Sequence, residues 1–349
     1  MNAIKIGLLI AETGPAGLWA PSARACANLA AQEINAEAGL LGRPMELVTI
    51  DVGCNGRTAA AAARHAMDIE DVAAIIGMFP SYARQSVLSA IGDAVPLIYT
   101  PQFEGFECDP HIVTTGETSA ELMGPAIDWL VRTRKASRFF LCGSDYLWPR
   151  SSFALAKRMI RDAGAIVTGE MYLPLDYHQY GPAFQAIRTT HSDVVLPHFL
   201  GLDAVRFNRA YAQEGLAAQA VRLACAVDET VIYGLDEDAT ENMFVASAYF
   251  SSVRSRNNGA FLERYHDAYG DSPPPANAYG QSCYEGLYCL AGLVKAAGTL
   301  ATRPIRAALG KAVQQKSARG DESAPLVGGR HPVHIGRVEG FDIRLVNRV

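Results

Sequence analysis

Long apolar runs are missing from this sequence. Nowhere in its 349 residues does an apolar stretch approach the roughly 18 residues of a membrane-spanning helix, so no span is expected. An excess of positive charge is missing too. Its 31 Lys and Arg stand against 36 Asp and Glu, a formal net charge of -5, and without clustered cations there is nothing to neutralise a phosphate backbone; direct nucleic acid binding is therefore not expected. The seven cysteines, an odd number, run from Cys26 to Cys289 with no Cys-x-x-Cys pair and no Cys/His zinc spacing, and the eight histidines do not cluster. Free thiols in a reducing cytoplasm and no metal site are the expectation.

Enzyme signatures are equally scarce. There is no GxSxG elbow, no HExxH, no P-loop and no GxGxxG opening a helix after the first strand. The loop ETGPAGLW, Glu12 to Trp19, has two glycines but lacks the third and the acidic partner of a dinucleotide site. His198 with Asp203 reads as local packing and capping rather than a catalytic pair. The expectation is a non-enzymatic protein without cofactor. The amino terminus, MNAIKIGLLIAETG, has one lysine and a short β-like run, unlike the apolar core of about 7–15 residues that marks a secretory leader. As written the chain is expected in the cytoplasm, or in the periplasm if a leader has been trimmed from it.

What is present is an alternation of strand and helix signals. IKIGLLI, MELVTID, VAAIIG and VPLIYT read as strands, separated by helices from Ser22, from Arg57 to Ile69, and from Ser81. In the first helix Ala27, Ala30, Ala31 and Ile34 recur at spacings of three and four, one core-facing stripe; Gly39, the turn at Gly42 and Pro44 stop it. After Ser119 the pattern restarts: a helix through Trp129, RFFLCG, a helix from Ser151, AIVTGEMYL, a helix from Pro182, DVVLPHFL, a further helix and VRLACAV. MFVASAYF and the run YFSSVRSRNNG read as a return crossing, ANAYGQSCYEGLYCLAGLVKAA as a long amphipathic helix, and QQKSARGDESAPLVGG as a mobile loop before two terminal strands.

The fold class implied is α/β, with two Rossmann-like lobes of parallel sheet joined by a multi-strand hinge. At this length two cores are favoured over one. The expected division is 1–117 for the first part of lobe 1, 118–248 for lobe 2, 249–328 for the return to lobe 1, and 329–349 for terminal strands of lobe 2. Three crossings, near Gly116, Tyr249 and the final loop, would make a hinge able to close around a ligand.

Polar and aromatic groups gather at the carboxyl ends of the strands, where open parallel sheets bind ligands. After VAAIIG come Phe79 and Ser81; Ser81 can cap the next helix or, with that helix's free amides, bind a carbonyl or carboxylate oxygen. After VPLIYT come Tyr99, Thr100 and Gln102. The octet GSDYLWPR, Gly143 to Arg150, offers Tyr146 and Trp148, two rings able to wall a small pocket or to fill a core, while Asp145 and Arg150 secure the loop. Asp228 and Glu229, after VRLACAV, can recognise an amine or amide N–H or can simply start a helix.

IKIGLLIAETG, AAQEINAEAGLLGRP, FEGFE, GSDYLWPR and YFSS together resemble the type I periplasmic-binding-protein superfamily, in order over nearly the whole chain. The branch is that of branched-chain amino acid, urea and short-chain amide receptors, with the cytoplasmic amide sensors as the nearest group. The resemblance implies a pocket of Phe79, Ser81, Tyr99, Thr100 and Gln102 from lobe 1 and Tyr146, Trp148, His198 and Asp228 from lobe 2. Phe79 and Trp148 stand where amide sensors carry tyrosines, Gln102 where they carry proline, and His198 where they carry a small hydroxyl residue. The implied function is binding of a small polar solute, an amide, urea or amino-acid-like molecule, in the interlobe cleft. Lobe closure would then signal to a cytoplasmic antiterminator-type regulator; the alternative partner is the permease of an ABC transporter.

Overall fold

The computed structural model describes residues 2–348 apart from 108, 110, 323, 324 and 328. In chain order the elements are β1 (Ile4–Ile10), α1 (Ala20–Glu37), β2 (Met45–Asp51), α2 (Gly56–Asp68), β3 (Ala74–Met78), α3 (Ser81–Ile91), β4 (Leu97–Tyr99) and β5 (Ile112–Thr114). There follow α4 (Ser119–Arg134), β6 (Arg138–Ser144), α5 (Leu147–Asp162), β7 (Ile166–Leu173), α6 (Gly181–Thr189), β8 (Val194–His198), α7 (Gly201–Gln213), β9 (Val221–Ala224), α8 (Glu229–Tyr233) and β10 (Met243–Ser247). The chain then forms α9 (Arg256–Tyr269), α10 (Ala278–Ala297) and α11 (Thr302–Ala307), and ends in β11 (His334–Glu339) and β12 (Asp342–Arg348).

Two compact units result. Unit 1 comprises Met1–Glu117 and Arg254–His331; unit 2 comprises Thr118–Val253 and Pro332–Val349. The second and third crossings thus fall at 253/254 and 331/332, a few residues beyond the expected 248/249 and 328/329. Unit 1 is built on a sheet in the order β2-β1-β3-β4-β5 with every pairing parallel. Its central strands β1, β3 and β4 are almost wholly buried, as strands covered by helices on both faces must be.

Local chemistry explains the element ends. Asn55 caps α2 by accepting from the amides of Arg57 and Thr58. Helix α1 stops at a turn in which Gly39 has φ of 67°. A Cβ there would lie 1.9 Å from the Arg43 carbonyl oxygen, so only glycine fits. At the first crossing, Thr118 and Glu121 form a reciprocal capping box that starts α4.

Unit 2 is a sheet in the order β12-β11-β10-β9-β8-β6-β7. The pairings among β10, β9, β8, β6 and β7 are parallel, and the two terminal strands add as an antiparallel edge. Its core gathers Leu122, Ile127 and Leu130 of α4 with Phe139, Leu141, Phe153, Leu196, Leu223 and Phe244.

Four departures from the sequence reading have physical causes. Helix α5 begins at Leu147 rather than Ser151, because Pro149 falls in its first turn, where the missing N–H costs nothing. Helix α9 starts inside the segment read as a crossing, with Ser255 accepting from the Asn258 amide as its cap. Helix α10 is buried around most of its circumference rather than amphipathic. The Gly/Ser/charge-rich segment read as a mobile loop is held in its described part: Ser317 and Arg319 are buried and bound to Glu285 of α10.

Candidate functional site

Each sheet reverses its strand order at one place. In unit 1 the chain winds from β1 outward to β2, then returns past β1 to β3. In unit 2 it winds from β6 to β7, then returns past β6 to β8. At such a reversal the loops leave the carboxyl ends of two adjacent strands in opposite directions, opening a crevice where α/β sheets take ligands. The residues predicted from sequence lie at these two places or one strand away.

In unit 1, Ser81 is the first residue of α3, one position after the cap position taken by Pro80. It does not cap the helix. Its Oγ is buried and has no hydrogen-bond partner. Phe79 and Tyr99 pack ring against ring at 5.4 Å, and the Tyr99 hydroxyl donates to the Phe79 carbonyl at 2.7 Å. Burial pushes the Tyr99 phenol above its ordinary value, so it stays protonated as that donor.

The loop carrying FEGFE is fastened to the same helix. Arg84 of α3 donates from Nη2 to Glu104 at 2.6 Å and from Nε to Glu107 at 2.9 Å, all three side chains buried. Its guanidinium also lies 5.1 Å from the Tyr99 ring centroid. Gln102 donates from Nε2 to the Tyr279 hydroxyl at 3.1 Å, and Tyr279 packs on Trp19 with centroids 4.0 Å apart.

Thr100 is placed differently from its neighbours. It is fully buried, accepts from Ser282 at 3.1 Å and belongs to the packing of β4 against α10.

In unit 2, Tyr146 occupies the N-cap position of α5 and Trp148 its first turn. Both are buried, with centroids 6.3 Å apart. Trp148 stacks on His198, the last residue of β8, at 4.7 Å and 30°, and Phe153 meets the same imidazole edge-on at 4.9 Å. Strand β6 comes this close to β8 because Gly143 has no side chain: a Cβ there would stand 2.7 Å from the His198 carbonyl oxygen. Neither ring nitrogen of His198 has a partner at full hydrogen-bond geometry; the Leu196 backbone acts on the ring as a weaker hydrogen-bonding neighbour that favours the protonated form. Burial pushes its pKa down to about 3, which makes the imidazole neutral at physiological pH.

Asp228 takes the helix-starting role. It caps α8, accepting from the amides of Thr230 and Val231. Arg150 and Asp145 pair at 2.5 Å on the surface, with the guanidinium 4.5 Å from the Tyr172 ring, which secures the loop as expected.

The structure brings further groups to the same strand ends that sequence reasoning passed over. In unit 1 these are Trp19, whose buried Nε1 has no partner, and Tyr279. Trp19 ends the loop after β1, and its signal was the ring closing ETGPAGLW. In unit 2 they are Ser144 and Tyr180, whose hydroxyls are buried without partners. Ser144 stood inside the octet itself; nothing in the sequence near Tyr180 marked it.

Buried polar groups are normally paired within the chain. Among the buried polar groups of the described residues left without a partner, Ser81, Ser144 and His198 stand at the switch points. Among the described residues no group of His, Cys, Asp and Glu could hold a metal ion, and no helix is long and apolar enough to cross a membrane. The chain belongs to the periplasmic binding protein family, whose model matches residues 3–338.

Solved structures share the fold at low identity. The branched-chain amino acid transporter substrate-binding protein LivJ from Streptococcus pneumoniae, in complex with isoleucine, has a TM-score of 0.83 at 16% identity, covering 100% of both chains. A leucine-binding protein, LivK, from Thermotoga maritima has a TM-score of 0.84 at 17% identity over 99% of each. An ABC-transporter solute-binding protein from Rhodopseudomonas palustris, in complex with p-hydroxybenzoic acid, has a TM-score of 0.85 at 20% identity, covering 100% of this chain and 97% of that one. LivJ and LivK are type I periplasmic binding proteins of the branched-chain amino acid receptor type.

Proposed function

We propose that this chain is the solute receptor of an ABC-type uptake system, binding a small organic molecule through groups at the strand ends of its α/β units. The observation that carries the reading is the pair of unsatisfied, buried polar sites at the two switch points, Ser81 in unit 1 and His198 in unit 2. The rings beside them, Phe79, Tyr99, Tyr146 and Trp148, suit an apolar or planar solute body. Gln102 and Asp228 stand as outer members of the set, already committed within their own units, Gln102 to the Tyr279 hydroxyl and Asp228 to the amides of Thr230 and Val231. Amino acids and aromatic acids, the solutes of the structural relatives, join amides and urea as candidates.

Transporter-receptor relatives favour a permease as partner over the cytoplasmic regulator suggested by amide sensors. The family name points to the periplasm as the working compartment. The buried thiols suit that compartment as well as a reducing one. Of the six described cysteines, all free, five are buried. Burial raises the thiol pKa of Cys26, Cys142, Cys225, Cys283 and Cys289, which keeps them unreactive. Cys108 lies outside the described residues.

A thermal-shift screen against branched-chain and aromatic amino acids, benzoates, short amides and urea tests the reading. A solute at about 100 times its dissociation constant adds roughly 2.7 kcal/mol to folding stability. A rise of several degrees confined to one chemical class is expected; no shift with any class, combined with an empty protein by native mass spectrometry, would sink the reading. Ammonia release from acetamide or urea, expected to be nil, separates binding from hydrolysis.

A further inference from the structure

We infer that His198 is a specificity-determining residue at the strand ends of unit 2, receiving an uncharged hydroxyl or amide group of the solute. The inference rests on the solute-binding reading above. The imidazole is 1% exposed and in contact with two rings: Trp148 stacks on it and Phe153 meets it at a steep angle. What remains for hydrogen bonding is the ring edge, where Nδ1 and Nε2 have no partner at full hydrogen-bond geometry and only the Leu196 backbone acts as a weaker one. An under-satisfied buried imidazole is costly inside a protein, so the arrangement makes sense when something else supplies a bond.

The chemistry of that group follows from what surrounds the ring. Among the described residues of unit 2, no carboxylate pairs with it. Asp203 of α7 is held by the Asp176 amide and by Arg206, Glu229 of α8 accepts from the Ser251 amide and hydroxyl, and Asp228 caps α8. The imidazole is therefore neutral and presents one donor and one acceptor. A hydroxyl or an amide answers either nitrogen. A methyl group answers neither, and a carboxylate would need a second donor or a protonated ring, which burial opposes. Ser144 ends β6 one residue beyond Gly143, the register partner of His198, and its free hydroxyl adds a further neutral group at the same strand ends.

Calorimetric titration of matched solutes tests this: threonine against valine, 4-hydroxybenzoate against benzoate, and propionamide against 2-butanone, each with wild type, His198→Phe and His198→Asn. In a pair that binds, the hydroxyl or amide member is expected to bind wild type at least about tenfold more tightly. The preference should fall below about threefold in His198→Phe and recover in part in His198→Asn, which keeps a donor and an acceptor. His198→Phe preserves a ring between Trp148 and Phe153, so its melting temperature should stay at or above that of wild type. A bound pair showing no preference in wild type, or a preference surviving in His198→Phe, overturns the role of His198 and leaves solute binding standing. Should none of the six bind, the pair is drawn from the strongest solute of the screen and its methyl-substituted analogue. A screen without any binder overturns both readings.

Discussion

Arg319 donates from Nε to the carboxylate of Glu285 at 2.8 Å and from Nη2 to the same group, with both side chains almost wholly removed from solvent. Around this pair the segment read from sequence as mobile is pinned to unit 1. Glu285 also accepts from the amides of Ala318 and Arg319 at 3.1 and 3.3 Å and from the Ser317 hydroxyl. Arg319 reaches Glu117, the residue before the first crossing. Asn257 and the Arg256 amide, just after the second crossing, bind the Arg319 carbonyl at 2.9 Å and Asp321 at 3.0 Å.

Arg319→Met should therefore destabilise the protein by about 3–5 kcal/mol, the cost of leaving a buried carboxylate without its counter-charge. Adding Glu285→Leu should restore part of the loss, and urea unfolding of the four cycle members measures both. The pH dependence has a definite sign. Burial opposes ionisation of Glu285, but Arg319, His331 and Ser317 outweigh it and hold the folded pKa at about 2, below the ordinary 4.5. The contribution is complete above pH 4.5 and is lost as pH falls toward 2. That acid limb should shrink in Arg319→Met.

Alternation of strand and helix signals made the α/β units legible in sequence, because parallel strands covered on both faces leave unbroken apolar runs such as VAAIIG. The strand-end residues were legible for the same reason: a run's end marks the crevice side. What the residues hide is long-range pairing. Serines, glycines and charges at 314–322 have a loop's composition, and only the carboxylate of Glu285, on a distant helix, converts them into a buried segment. Thr100 and Ser81 look alike as hydroxyls beyond strands; which one packs against α10 depends on the position of Ser282 in space. Tyr180 is a single ring before a short helix, and its place among Phe184, Phe199 and Phe207 arises from tertiary packing alone.

A second pH effect should come from His198. Its folded pKa, pushed down by burial to about 3, lies below the ordinary 6.5. Between those values the unfolded chain binds a proton that the folded chain refuses, so stability falls as pH drops below 6.5, with a slope approaching about 1.4 kcal/mol per pH unit for one such group. His331, held near 4 by Arg319 and by burial, contributes in the same direction. Replacement by phenylalanine at 198 should remove one of the two contributions. Urea midpoints measured from pH 7.5 to 4.5 would show the reduced slope; an unchanged slope would mean that the buried imidazole takes up its proton in the folded state.

Ser81 and Thr100 offer the sharpest separation of fold from function, since both are buried hydroxyls of unit 1 beyond adjacent strands. Thr100 is bonded within the chain, accepting from Ser282. Thr100→Val keeps the shape and removes that acceptor, which should cost about 1 kcal/mol of stability and leave solute affinity within about twofold. Ser81 has no partner in the chain, so Ser81→Ala forfeits no internal bond, and its stability should stay within about 0.5 kcal/mol of wild type. Its solute affinity should fall by about tenfold if the hydroxyl binds the ligand. Chemical unfolding and calorimetric titration of the two variants, run side by side, check the contrast. Equal affinity in Ser81→Ala and wild type would remove this residue, and with it the start of α3, from the binding site.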